Sequence, residues 1–341
     1  MSKTTFDLST LNLAAGTYSI TVKAEAEGYT TSDASNAINY TFTTPIPTDS
    51  ILFAGDTSDF TLKATNKSWD GTVEYSTDKN TWSTWDGSEI SSANQKLYLR
   101  GKNNTTFYTS SGAKFVLSEK AGCYGNINTL LDYENPPTAV AGSYCYQSMF
   151  QGCTSLTTAP ALPATTLASG CYGEMFLGCT SLTTAPALPA TTLANYCYQS
   201  MFQGCTSLAT APELPATTLG ESCYNGMFYG CTSLATAPEL PATVLNTMCY
   251  REMFKGCTSL TTPPELPATT LANHCYNSMF YECTSLKVSE TQTEEYATAW
   301  RIPSTGEITS GAYSWNTNML TNTGGTFTGV PAVNTTYYIA G

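Results

Sequence analysis

Two rhythms of apolar and polar positions run along this chain. In the first, the period is two. Thr17, Ser19, Thr21 and Lys23 alternate with Tyr18, Ile20, Val22 and Ala24, which predicts a half-buried strand. From about residue 145 the rhythm lengthens. Leu193, Cys197, Tyr198, Met201, Phe202 and Cys205 fall at i, i+4, i+5, i+8, i+9 and i+12. That spacing predicts one apolar stripe on a helix of about three turns. Asn195, Tyr196, Gln199, Ser200 and Gln203 form the opposite face. Gly204 is placed to end the helix, since glycine accepts the left-handed cap conformation. Thr206, Ser207 and Leu208 lead into a short extended segment, and Pro212 and Pro215 keep a helix from restarting. Each unit therefore reads as helix, tight turn, short parallel strand and proline-shaped return. The strand phase stays open, because Leu208, Ala211 and Leu214 recur every third residue rather than every second.

This unit recurs. Cysteine pairs eight residues apart begin at Cys145, Cys171, Cys197, Cys223, Cys249 and Cys275, a fixed step of 26. One unit cannot bury its own apolar face, so neighbours must stack and share a core. A period in the twenties with leucines at fixed offsets reads as a leucine-rich-repeat solenoid. The predicted fold class is an α/β solenoid with an N-terminal all-β sandwich-like region. On the block MFQGCTSL and its leucine-proline return, the chain resembles the BspA-like (Treponema-type) leucine-rich repeats. The likeness spans roughly residues 121 to 289 and is greatest to long-period variants in proteins of gut bacteria and their phages. Members of that family are adhesins and surface-interaction proteins. The resemblance thus implies recognition without catalysis, and it supplies no catalytic residue.

Around the repeats the chain divides further. Residues 1–46 read as a partial immunoglobulin-like β module, with strands at 17–24 and 37–42 and a turn at Glu27-Gly28-Tyr29. The run AGTYSITVKAEAEGYTTSDASNAINYTF resembles the closing strands of bacterial immunoglobulin-like or fibronectin-like modules. Three strands are too few for a sandwich, which makes self-association through this module one way to complete it. Residues 43–47 form a stiff linker, and 50–120 a small β-sandwich-like domain with turn residues every eight to twelve positions. Tyr75 to Trp82 reads as a hairpin resembling the structural Asp-box turn of sialidases, one residue short. Trp69, Trp82 and Trp85 either pack that core or line a sugar-binding face. Residues 121–144 look like a worn first repeat, 121–289 form the repeat domain, and 290–341 a C-terminal cap with Trp300, Trp315, Phe327 and Tyr337 as plugs.

Composition narrows the partners. Charged residues make up 12%, and 14 basic against 26 acidic residues leave a net charge of −12. Such a chain is repelled by a phosphate backbone, which argues against nucleic acid. No apolar run reaches membrane-span length, so no membrane insertion is expected. The start, MSKTTFDLST, lacks the apolar core of a signal peptide. That leaves two readings, a fragment or a protein that leaves the cell another way. The thirteen cysteines read as columns of buried thiols. On the predicted helix Cys197 and Cys205 would lie about 12 Å apart, beyond bridging reach.

Little chemistry is on offer. The single histidine, His274, has no second histidine to build a triad with. No phosphate-binding loop or cofactor motif is present, and no metal site is expected. The weakest of candidates is the column Glu213, Glu239 and Glu265, one carboxylate per unit. Binding candidates come from where the units differ. On the outer face of the predicted helices these are Leu177, Tyr196, Gln199, Gln203, Tyr229, Arg251, Lys255 and Tyr281. Two explanations stand for that diversity: a convex binding face, or drift after duplication. The expected function is a non-catalytic adhesion or receptor-binding module on a bacterial surface or phage particle, binding a cell-surface protein or glycan. The alternatives are a structural spacer or particle-decorating protein and, more distantly, an accessory module of a carbohydrate-active enzyme.

Overall fold

The computed structural model describes residues 16–20, 38–42, 46–67, 69–107, 114–302, 307–308 and 314–340. The chain separates into two compact units, Met1–Ile46 and Pro47–Gly341. In the first, β1 (Gly16–Ile20) pairs antiparallel with β2 (Ile38–Phe42), Tyr18 opposite Tyr40. The predicted turn at Glu27-Gly28-Tyr29 lies outside the described residues.

The second unit begins with antiparallel sheet. Its strands are β3 (Ile51–Gly55), β4 (Thr61–Ala64), β5 (Thr72–Ser76), β6 (Ser83–Thr84), β7 (Ile90–Ser91), β8 (Lys96–Lys102), β9 (Phe115–Leu117) and β10 (Ala121–Tyr124). One sheet runs β10-β3-β8-β5-β6, and a second runs β7-β4-β9. In β8 every second residue is buried, Leu97 and Leu99 among them, the alternation that a one-faced sheet demands. Trp69 and Trp85 stack on each other in the core between the sheets, ring centroids 5.1 Å apart. Trp82 lies outside it beneath the Arg100 guanidinium, which also covers Tyr133 and pairs with Glu74. In the turn between β5 and β6, Asp78 accepts hydrogen bonds from the Asn80 and Thr81 N–H groups. Those bonds and the Ser76 hydroxyl hold its carboxyl down at about 2.

The sheet passes into the repeats through β10, which pairs parallel with Leu156–Thr158. Here the helical expectation is overturned. The only helix among the described residues is a four-residue 3-10 turn at Ile127–Leu130. The protein is β- and turn-rich, not an α/β leucine-rich-repeat solenoid with short helices. The predicted helix of each unit is instead a ribbon of overlapping turns. In the third unit the N–H groups of Cys197, Gln199, Met201, Gln203 and Cys205 each bond the carbonyl three residues back. The intervening N–H groups leave the unit. Tyr196, Ser200, Phe202 and Gly204 donate to Glu221, Asn225, Met227 and Tyr229 of the next unit, at 2.7–2.9 Å. Tyr198 donates to Cys171 of the preceding one. Tyr196, Tyr198, Ser200 and Gly204 carry φ of +62°, +61°, +50° and +74°. An α-helix needs negative φ throughout and i to i−4 bonds, so this backbone cannot be one.

The ribbon explains why the sequence looked helical. Side chains point in two by two: Cys197 and Tyr198 inward, Gln199 and Ser200 outward, Met201 and Phe202 inward, then Gln203 and Gly204 outward. A period of four drifts from 3.6 by roughly 0.8 residue over two turns. Nine residues are too few to separate the two. The rest of each coil meets its neighbours through thin parallel contacts. Single bridges join Thr158, Thr184 and Thr210 on one line, and Thr192 and Thr218 on another. Short strands join Ala139–Val140 to Thr166–Leu167, and Thr270–Leu271 to Glu307–Ile308.

Inside, identical residues form columns. Tyr146, Tyr172, Tyr198, Tyr224, Tyr250 and Tyr276 stack with centroids 5.6–6.0 Å apart. Phe150, Phe176, Phe202, Phe228, Phe254 and Phe280 do the same at 5.6–5.8 Å. These separations suit offset-stacked rings, each pair contributing about 0.5–1.5 kcal/mol beyond burial. Phe107 continues the tyrosine column toward Trp69, while Phe53 and Phe115 meet Phe150. At the other end Trp315 and Trp300 turn edge-on to Tyr276 and Phe280 and close both columns. The Trp300 Nε1–H donates to the Pro264 carbonyl at 3.0 Å. Beyond them, Lys287–Ser289, Thr298–Ile302, Gly324–Gly325 and Thr335–Ile339 form a four-stranded sheet. No helix among the described residues is long and apolar enough to cross a membrane.

Candidate functional site

The residues with nucleophilic potential are spent on structure. All thirteen cysteines are free and buried. In one column the thiols of Cys179, Cys205, Cys231, Cys257 and Cys283 donate to phenylalanine carbonyls of the preceding unit at 2.9–3.1 Å. Burial pushes the Cys153 and Cys171 thiols up to about 11, and those of Cys145, Cys197 and Cys205 up to about 12. The nucleophile is the thiolate, so these groups are inert near neutral pH. Among the described residues no group of three His, Cys, Asp or Glu side chains is placed to hold a metal ion. Glu213, Glu239 and Glu265 stand exposed on the proline return. Two hollows are lined by prolines, alanines and leucines, with Pro212, Glu213 and Pro215 shared between the two and Glu239 in the second.

The predicted binding residues lie on the outer edge of the ribbon, not on helices. Leu177, Tyr196, Gln199, Gln203, Tyr229, Arg251, Lys255 and Tyr281 are all half-buried. The tyrosines pack against neighbouring units as well as facing outward. Units stack so closely that a long outward side chain lies along its neighbour. Lys255 Nζ sits 4.9 Å from the Tyr229 ring centroid and 5.3 Å from that of Tyr281. It also lies 3.7 Å from Glu252, which Arg251 approaches at 3.4 Å. Tyr229, Lys255 and Tyr281 are thus one cluster, with a cation held between two rings. Leu177 and Gln203 occupy the same column in earlier units. His274 is half-buried at φ +55°, in the column of Tyr144, Gly170, Tyr196, Ser222 and Met248.

Tyr196 and Gln199 belong to a second grouping. They line a slot of about 180 Å³ together with Tyr144, Gln147 and Glu174, with Gly170 and Gly173 between the flanking side chains. Tyr144, Gln147 and Glu174 were not among the predicted binding residues. The signal was available: the second unit alone carries glycine at both of the variable positions flanking its first Cys-Tyr pair. Two adjoining missing side chains leave a gap only once the units are stacked. Glu174 accepts from Ser148 Oγ at 3.2 Å and Gln151 Nε2 at 3.5 Å, both on Oε2. Comparison with protein-family models, with curated proteins and with solved structures gives no match.

Proposed function

We propose that this protein is a non-catalytic recognition module that binds a protein or glycan of a cell surface through the outer edge of its turn ribbon. One observation carries the reading. The inward Cys, Tyr, Met, Phe, Cys and Leu of the six units are identical, while the outward ribbon positions other than the turn glycine change from unit to unit. Position 177 and its equivalents run Gln151, Leu177, Gln203, Tyr229, Lys255 and Tyr281. An invariant frame with varied side chains at fixed spacing suits recognition, because binding rests on a few placed anchors, aromatic residues and arginine foremost. The burial of every cysteine weighs against thiol catalysis. Display on a bacterial surface or a phage particle is part of this reading.

The test is retention of the full chain on cultured epithelial cells and on immobilised mucin. The combined variant Tyr196→Ser, Tyr229→Ser and Tyr281→Ser is expected to lose retention by about tenfold or more. The return variant Glu213→Gln, Glu239→Gln and Glu265→Gln is expected to retain it. The reverse result moves the site to the proline return. Native protein that is retained on neither surface favours the spacer reading.

A further inference from the structure

We propose that the slot between Tyr144 and Tyr196 is a subsite for a single uncharged pyranose ring. This rests on the recognition reading above and assigns a ligand class to one place on the ribbon. The slot is made by omission. In the column of outward residues before the first cysteine, Gly170 stands between Tyr144 and Tyr196; in the column after it, Gly173 stands between Gln147 and Gln199. The Tyr144 ring leans across Gly170 so closely that a Cβ there would collide with it. At Gly173 an added Cβ would meet only the Gly170 carbonyl oxygen at 3.2 Å and otherwise ordinary contacts. At 170 the Tyr144 ring takes the place of the omitted side chain, so the opening is set by the residue choice at 173, where the backbone does not demand glycine.

What borders the gap selects the ligand. Tyr144 and Tyr196 bring two phenol rings to the lining, and an aromatic ring packs against the weakly polarised C–H face of a sugar. Gln147 and Gln199 bring amides that both donate and accept. Glu174, whose Oε2 accepts from Ser148 and Gln151, brings a carboxylate that can accept from a hydroxyl. Vicinal hydroxyls around an apolar-faced ring match this set. No cation lines the slot, and a chain of net charge −12 repels carboxylated or sulfated sugars. A volume of about 180 Å³ falls below the roughly 300–1,000 Å³ of sites for larger ligands, so one ring fits and a buried oligosaccharide does not.

Saturation-transfer NMR on the full chain tests this, with the methyl pyranosides of glucose, galactose, mannose, fucose and N-acetylglucosamine as probes. Methyl glucuronide and a methyl sialoside serve as anionic comparators. At least one neutral pyranoside is expected to show transfer to its ring protons. Gly173→Gln installs the side chain that Gln147 and Gln199 carry in the flanking units, so the ribbon accommodates it. It is expected to fill the slot and abolish the signal, as is Gln199→Ala in part, while Lys63→Gln, on β4 of the antiparallel sheet, leaves it unchanged. The proposal is overturned by transfer to the anionic sugars alone, by no transfer to any neutral pyranoside, or by an undiminished signal in a folded Gly173→Gln protein. Lost pyranoside transfer with retained, ribbon-dependent adhesion removes the subsite and leaves the recognition reading. Retained transfer with adhesion indifferent to the tyrosines does the opposite.

Discussion

The antiparallel sheet at residues 51–124 and the repeat stack solve the same problem with different means. In the sheet, hydrogen bonds are pooled in strands. The seven residues of β8 pair with β3 on one side and β5 on the other. In the stack, parallel contacts shrink to one or two residues per unit, as at Thr184 and Thr210. The ribbon takes over, sending four N–H groups of the third unit to the fourth. Against these four, the return supplies three, from Leu193 N–H to Thr218 and from the Thr217 and Thr218 N–H groups to Thr191, so the turn ribbon is the larger part of the seam. The cores differ too. The sheet buries Ile51, Phe53, Leu62, Val73, Leu97 and Leu99, whereas each unit of the stack buries two thiols and a phenol. A backbone in left-handed conformations costs about 1–2 kcal/mol per non-glycine residue, and the stack sustains it only because neighbours complete the bonding.

The thiols give the largest expected contrast. Folded thiols are raised by burial to about 11 or 12 where Cys153, Cys171, Cys197, Cys275 and Cys283 are concerned, and well up in the others. Unfolded cysteine titrates near 8.5. Above that pH the unfolded chain loses protons that the folded chain keeps, so stability falls as pH rises toward the folded values. Each thiol contributes a loss of about 1.4 kcal/mol per pH unit in that window. A dozen together exceed the ~5–15 kcal/mol that holds a typical domain. With reductant present, the urea midpoint is expected to hold below pH 8 and collapse before pH 10. Subtilisin is expected to cut within 145–283 before it cuts within 51–102. A midpoint that stays flat to pH 10 would contradict the burial of the thiol columns.

Columns against strands give the next contrast. Phe202 stacks between Phe176 and Phe228 at 5.6 and 5.8 Å, and Phe202→Ala should cost about 3–5 kcal/mol. Removing the entire unit 197–222 should cost less than that single substitution. The deletion lets Phe176 meet Phe228 and keeps every kind of neighbour contact. No strand of the sheet can be excised in this way, since β8 pairs on both sides. Chemical denaturation of the two variants decides it; a deletion that unfolds the chain would show that the stack has a fixed length.

The smallest effect probes the ribbon backbone. Gly152, Gly178, Gly204, Gly230 and Gly256 share φ of +71° to +74°, and the last unit has Glu282 in their place at φ +63°. A non-glycine residue there costs about 1–2 kcal/mol, against an entropic cost for glycine of about 0.5–1 kcal/mol. Glu282→Gly should therefore raise stability by about 0.5–1 kcal/mol, read from thermal melts. A fall in stability would mean that the last unit does not share the ribbon conformation.

The chain itself determined the 26-residue repeat, the columns of Cys, Tyr, Met and Phe that face inward, and the outward positions that vary. Side-chain partition between water and core needs only polarity and spacing, and both are written in the sequence. The period-two rhythm at 17–24 was equally legible, because a period of two has no near rival, and β1 overlaps it. Only the tertiary structure decided that the inward stripe rides on turns rather than on a helix. Helical bonds are made within a segment, but half of the ribbon's N–H groups bond carbonyls about 25 residues away, and no local pattern records them. Stacking likewise set Lys255 between Tyr229 and Tyr281, and turned two glycines of one unit into a slot walled by the tyrosines of its neighbours. Those groupings arise from residues one or two whole units apart, brought close by the short rise between coils.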